Sequence, residues 1–223
     1  AELRANSSNN TLFADAAGEV AYLHPQFIPR RDNRFDYTKP VDGADPATDW
    51  QGLHAPAEAP RVVNPPNGWI ANTNNWPYSA AAEHSPRAKD FPRYMDSAGE
   101  NPRGIHAELV LKDVRNLTLQ GLIDKAYDPY LTAFARLVPT LVAAYDATPD
   151  GDSAKAKVAE QVAALKAWDL KWSARSTETS LAVFWGEAMW AKAAPAAKAQ
   201  GLNTYDYMTD KLTPAEKLAA LAE

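Results

Sequence analysis

Short apolar runs bounded by turn residues predict the first elements of this chain. Thr11-Leu-Phe-Ala14 and Glu19-Val-Ala-Tyr-Leu-His24 predict two strands, and Asp15-Ala-Ala-Gly18 between them predicts a hairpin turn with a glycine free to take positive φ. From Pro25 to Pro66 the periodicity fades. Pro40-Val-Asp-Gly43 and Asp49-Trp-Gln-Gly52 there predict ordered irregular backbone anchored by single apolar residues. Residues 69–72 predict a third strand. Beyond residue 115 the pattern changes to apolar steps of three and four, which predicts helices over 117–127, 130–145, 153–170 and 179–197. Pro139 is expected to kink or split the second of these, and Pro195 to break the fourth. Val158, Val162, Leu165 and Trp168 fall on one face of the third; Leu181, Phe184, Trp185, Ala188 and Met189 are expected to face a core. Thr148-Pro-Asp-Gly-Asp152 reads as a turn, and Thr213 with Glu216 has capping-box spacing ahead of a last helix that opens on Pro214. The class is therefore α+β, with residues 1–112 as a part of strands and irregular loops and residues 113–223 as a mostly α-helical part.

Charge and composition remove several functions. With a net charge of −5 and no cluster of Lys and Arg, the chain offers nothing that nucleic acid or an anionic membrane would be drawn to. No cysteine is present, which excludes disulfides, thiolate metal sites and a Cys nucleophile. No apolar run approaches the ~20 residues that cross a bilayer. The chain opens at Ala1 without Met and ends at Glu223 inside a helix, which suggests a processed or truncated polypeptide.

Familiar catalytic motifs are also missing. His24, His54, His84 and His106 have no ligand spacing, and there is no His-Glu-x-x-His, phosphate-cradling loop or Gly-x-Ser-x-Gly elbow. His106-Ala-Glu108 resembles half of a zinc deaminase signature whose other half needs cysteine. Asp42, Asp45 and Asp49 could touch a calcium ion or stand as solvated loop acids; they lack the EF-hand pattern. Asn6-Ser-Ser8, Asn9-Asn-Thr11 and Asn116-Leu-Thr118 match the glycosylation triplet, which polar sequence produces by chance.

Between Val63 and Pro77 five Asn, three Pro and a Gly surround Trp69-Ile70-Ala71. Asn offers a donor and an acceptor and tolerates left-handed backbone, so the run predicts loops with many fixed amides. A polar surface loop is the plainer reading. The run also resembles a segment of penicillin acylase-type amidohydrolases, members of the N-terminal nucleophile hydrolases, that reads roughly Asn-Pro-x-x-Gly-x-Ile-x-Asn-x-Asn-Asn-x-Pro. Three further segments resemble the same family, in its order: Asn10-Thr-Leu-Phe-Ala-Asp15-Ala-Ala-Gly18-Glu-Val-Ala-Tyr22; Pro29-Arg-Arg31 with Asp49-Trp-Gln-Gly52; and Leu165-Lys-Ala-Trp168-Asp169 with residues 180–185 after it.

The resemblance implies that the first part contributes strands and covering loops to an N-terminal nucleophile hydrolase core. It implies that Asn10 is the catalytic Asn whose amide helps hold the oxyanion of a tetrahedral intermediate. From the sequence alone, Asn10 would otherwise be a cap at the start of a strand. Arg31 matches the active-site Arg that orients that Asn and the nucleophile; Arg30 beside it leaves a register of one residue open, and a surface Arg pair is the alternative. Asn64, Asn72, Asn74 and Asn75 are expected to brace the covering loops. The family's nucleophile is a Ser at the N-terminus of its larger chain, made by autoproteolysis, with its α-amine as base. That Ser falls outside this sequence, so this chain by itself is expected to be inactive. The resemblance further implies part of a large chain with the precursor's small chain as partner, an N-acyl amide as substrate, and a periplasmic or extracellular setting. The chemistry would require no cofactor, and a structural calcium ion would belong to the complete enzyme. The rival is a non-catalytic α-helical binding module.

Overall fold

The computed structural model describes residues 9–25 and 27–223. The chain divides into two compact units, Ala1–Ala126 and Tyr127–Glu223. In the first, β1 (Thr11–Ala14) and β2 (Val20–Leu23) form the expected antiparallel hairpin, with Thr11 opposite Leu23 and Ala14 opposite Val20. Asp15 closes the turn: its Oδ1 accepts the backbone N–H groups of Ala17 at 2.9 Å and Glu19 at 3.0 Å. Gly18 sits at φ +87°, where a side chain would be strained.

The third strand is not where the sequence places it. β3 is Arg61–Val63, antiparallel to β2 with Val62 opposite Tyr22, and the sheet order is β1-β2-β3. Pro65 and Pro66 lack N–H groups, and Asn64 turns to φ +47°, so pairing stops there. Residues 69–72 form no strand; their one ladder-like bond runs from Ala71 N–H to Ala80 O at 2.8 Å. The side-chain amide of Asn72 ties itself to its own loop instead of leaving the backbone to a partner strand.

The irregular stretch expected beyond the hairpin is punctuated by single 3-10 turns, three of which, Pro46–Thr48, Pro56–Glu58 and Pro77–Ser79, open on proline. Two helices complete this unit. The periodicity did not predict α1 (Pro102–Leu111), which starts where Asn101 accepts the N–H of Gly104 at 3.0 Å; α2 (Leu119–Ala126) was expected.

The second unit is helical: α3 (Thr132–Ala147), α4 (Ser153–Lys157), α5 (Ala159–Ala167), α6 (Thr177–Gln200), α7 (Thr204–Asp210) and α8 (Pro214–Ala222). Leu137, Leu141, Val158, Val162, Leu165, Trp185, Met189, Met208 and Leu218 make its core. Three expectations need correction. Neither Pro139 nor Pro195 divides its helix, since Leu137, Val138 and Leu141 bury one face around the first, and Ala193 and Ala197 around the second. Packing of that kind outweighs the ~3 kcal/mol that an interior proline costs. Residues 153–170 are not one helix, because Val158, at ψ 7° and fully buried, breaks the run into α4 and α5. Phe184 does not face the core. It is 70% exposed, and the buried stripe of α6 runs Ala182, Trp185, Met189, Ala193, Ala197. No helix of the described residues is long and apolar enough to cross a membrane.

Candidate functional site

The site of interest follows from strand register. Extending the β1–β2 pairing one step beyond Thr11 and Leu23 puts Asn10 across from His24 on the face that also carries Tyr22. Tyr22 is fully buried on Val62, Ala80, Ala81 and Ile70, and His24 is buried beside it. The Asn10 side chain is therefore no strand cap. Its Nδ2 donates to Asn72 Oδ1 at 2.8 Å, and its Oδ1 accepts from the Tyr22 hydroxyl at 3.1 Å. One Nδ2 hydrogen remains without a partner among the described residues.

Two branches leave Asn10. On one, Asn72 is fixed by its own loop: its Oδ1 accepts the Asn74 N–H at 3.2 Å, and its Nδ2 donates to Asn75 O and Asn75 Oδ1, each at 3.2 Å. Asn75 is buried and passes the chain to Ser79 Oγ at 3.0 Å and Glu100 Oε1 at 2.9 Å. Trp76 Nε1 also reaches Glu100, at 3.1 Å, and Ser79 donates a short bond to the same carboxylate. Gly104 in α1 lies over this junction, where a Cβ would run into Glu100 Oε1 and Asn75 Nδ2. On the other branch, the Tyr22 hydroxyl lies 3.2 Å from His24 Nδ1, while His24 Nε2 lies 3.1 Å from Met95 O and 3.6 Å from Asp96 Oδ2.

Electrostatics follow burial here. Desolvation, with Asp96 nearby, pushes the Tyr22 hydroxyl far above its ordinary pKa, and the same two causes raise Tyr78 to about 12. Both phenols stay protonated and able to donate. Burial pulls His24 below the ordinary histidine value and pushes Asp96 above the ordinary carboxylate value, so charge on either member is disfavoured.

The remaining Asn residues act locally. Asn64 Oδ1 accepts the Val20 N–H at 2.9 Å, tying β2 to the end of β3, and Asn67 Nδ2 donates to Ala81 O at 3.2 Å. Asn64 at φ +47° and Asn74 at φ +60° take the left-handed backbone that Asn tolerates.

The adjacent arginines differ sharply. Arg30 is occupied: its Nη2 donates to both Glu58 carboxylate oxygens, at 2.8 and 2.6 Å, and its Nε to Leu53 O at 3.2 Å. Arg31 meets no carboxylate among the described residues: its guanidinium lies 5.0 Å from the centroid of Tyr37 and 5.4 Å from that of Trp50, with Nε buried and unbonded. It lines a cleft of about 230 Å³ with Tyr37, Arg93, Tyr94 and Ser97. No hydrogen bond joins it to Asn10.

Asp42 and Asp45 spend one carboxylate oxygen each on the backbone N–H two residues ahead. No group of three or more acids and histidines among the described residues could hold a metal ion. The Asn6-Ser-Ser8 triplet lies outside the described residues.

Sequence reasoning reached Asn10 and the Asn-rich loop but not Tyr22, His24, Asp96 or Glu100. The alternation Tyr22-x-His24 on one strand face was a usable signal. Asp96 and Glu100 arrive from irregular backbone, where spacing carries no information.

The family model described as penicillin amidase matches residues 1–221. Penicillin G acylase of Escherichia coli is 40% identical over 68 residues, which cover 30% of this chain and 8% of that protein. A thermostable penicillin G acylase from Alcaligenes faecalis, solved in an orthorhombic form, superposes with a TM-score of 0.58 and 22% identity, over 84% of this chain and 33% of that one. The chain thus spans well under half the length of either.

Proposed function

Because the chain belongs to the penicillin amidase family, we propose that it is a portion of an amidohydrolase that cleaves N-acyl amides through an acyl-enzyme formed on a serine outside this sequence. The observation that carries this reading is the state of Asn10. Its amide is held on both sides, by Tyr22 and Asn72, and keeps one N–H unspent. A neutral donor fixed in this way stabilises charge that develops on a carbonyl oxygen, without itself changing protonation or reorganising when the reaction occurs. The Asn-rich loop supplies the rigidity. Asn72 and Asn75 hold Asn10 through a chain that ends on the buried side of Glu100 and Ser79.

Arg31 serves as the second site residue. Its unpaired guanidinium, stacked on Tyr37 and Trp50, orients neighbouring dipoles or an anionic substrate group. Arg30 is already committed to Glu58, which favours Arg31 in the one-residue choice between them. The nucleophile, its amine base and the small chain of the precursor would complete the site, in a periplasmic or extracellular setting. The chemistry would require no cofactor, and a structural calcium ion would belong to the complete enzyme.

The test is Asn10→Ala in the complete protein that carries this chain, assayed on N-acyl amides and checked for folding by circular dichroism. Turnover is expected to fall ~10²–10³-fold with folding intact. Near-parental turnover would remove Asn10 from the mechanism.

A further inference from the structure

The hydrogen bonds around Asn10 have a direction, and backbone groups set it. Asn74 N–H only donates and Asn75 O only accepts, so Asn72 must present Oδ1 to the first and Nδ2 to the second. Asn72 Oδ1 therefore faces Asn10, which must answer with Nδ2 and turn its Oδ1 to Tyr22. Tyr22 has a single hydroxyl hydrogen, and Asn10 takes it. The nitrogen 3.2 Å on the far side, His24 Nδ1, must then supply a hydrogen of its own to the tyrosine oxygen.

We propose that His24 is a positioning residue for Asn10, acting through Tyr22: a hydrogen on Nδ1 directs the Tyr22 hydroxyl onto Asn10 Oδ1 and so leaves the spare Asn10 N–H aimed at the reacting carbonyl. This rests on the oxyanion role given to Asn10 above. The groups facing His24 are Tyr22 on its own strand and Met95 O and Asp96 on the irregular segment before α1; Tyr78, from the 3-10 turn at Pro77–Ser79, lies within the field of Asp96. Met95 O only accepts, so Nε2 donates to it; with Nδ1–H on Tyr22 the ring then carries both hydrogens, its charge faced by the Asp96 carboxylate. When one of the two leaves, the hydrogen that remains sits on Nε2, held by Met95 O and the Asp96 carboxylate. Nδ1 becomes an acceptor, captures the Tyr22 hydrogen, and Asn10 Oδ1 is left without a donor. Burial outweighs the help of Met95 O and Asp96, so this proton is released below the ordinary histidine value, and His24 and Asp96 titrate as a pair.

The experiment uses the complete protein labelled with ring-¹⁵N histidine, with the His24 signals identified by their loss in His24→Gln. The expected result is an N–H-type Nδ1 signal in the active pH range. It converts to the lone-pair type as pH rises, and kcat falls with the same midpoint while KM stays flat. Tyr22→Phe, which keeps the buried ring, is expected to lower kcat about 10–100-fold and to abolish that limb of the pH profile. A lone-pair Nδ1 throughout the active range, or parental kcat in Tyr22→Phe, overturns the proposal. Parental turnover in Asn10→Ala overturns the oxyanion role and the positioning role with it. That failure is recognisable because the parent protein still shows the His24 titration described above.

Discussion

Asn10 shows how far a single residue can be read. Its neighbours in sequence make it a plausible cap, yet its amide spans a strand and a loop 62 residues away. What keeps it there is a set of buried polar groups in which each member satisfies the next, an arrangement that loses more than one bond when any member is removed. Gly104 tests this directly. A methyl group there would wedge into the Asn75–Glu100 contact, and overpacking of this kind costs ~1–3 kcal/mol. Gly104→Ala is therefore expected to lower the unfolding free energy by that amount, read as a lower urea midpoint, and to reduce turnover in the complete enzyme through Asn72 and Asn10. A midpoint equal to that of the parent would show that the junction yields without strain.

At the scale of elements, local chemistry and packing divide the outcome. α8 is specified almost wholly by its first residues. Thr213 Oγ1 accepts the Glu216 N–H at 3.3 Å, and Glu216 Oε2 accepts the Thr213 N–H at 2.8 Å, the reciprocal bonds of a capping box. Thr213→Ala should cost ~1 kcal/mol in denaturant unfolding. The backbone N–H and then the hydroxyl of Thr213 hold the Glu216 carboxyl below its ordinary pKa. This contribution is thus present above the ordinary carboxylate range and is lost as pH falls through the lowered value. Thermal midpoints measured against pH should show that loss in the parent, a smaller loss in Thr213→Ala, which keeps the backbone N–H, and none in Glu216→Gln. Lys217, one residue on, behaves oppositely. It is buried with Nζ on Thr209 O at 2.8 Å, and burial lowers its pKa, so keeping it charged costs stability at neutral pH. Raising the pH through its lowered value toward the ordinary lysine range should raise the denaturation midpoint in the parent but not in Lys217→Met.

For the whole molecule the telling feature is apolar surface. On α2, Leu119 is 78% exposed, and Leu122 and Ile123 are also exposed. In the helical unit, Phe184, Trp172 and Trp190 are exposed as well. Exposed apolar side chains clustered on one helix favour association, and the chain spans only 33% of the acylase it superposes on. If the proposed function holds, the isolated chain is expected to self-associate with rising concentration in sedimentation velocity, and coexpression with the remaining segments of the complete protein should suppress this. A strictly monomeric isolated chain would mean that these faces need no cover.

Sequence alone determined the features whose causes are local. The hairpin followed from Asp15 and Gly18, the last helix from Thr213, Pro214 and Glu216, and the helical second half from apolar steps of three and four; the family followed from four motifs in order. Tertiary structure decided whatever depended on which of two competing partners a group would find. Residues 61–63, not 69–72, joined the sheet because the Asn side chains claimed the later segment. Pro139 and Pro195 stayed inside helices because burial of their flanks outweighed the missing N–H. Phe184 turned to solvent while the smaller Ala182 took its place in the core. Asn10 met Tyr22 and His24 through strand register, which is partly legible in sequence. Asn72, which it meets directly, and Asp96 and Glu100, which stand behind His24 and Asn75, arrive on irregular backbone, whose path is set by long-range packing and leaves no period in the sequence to read.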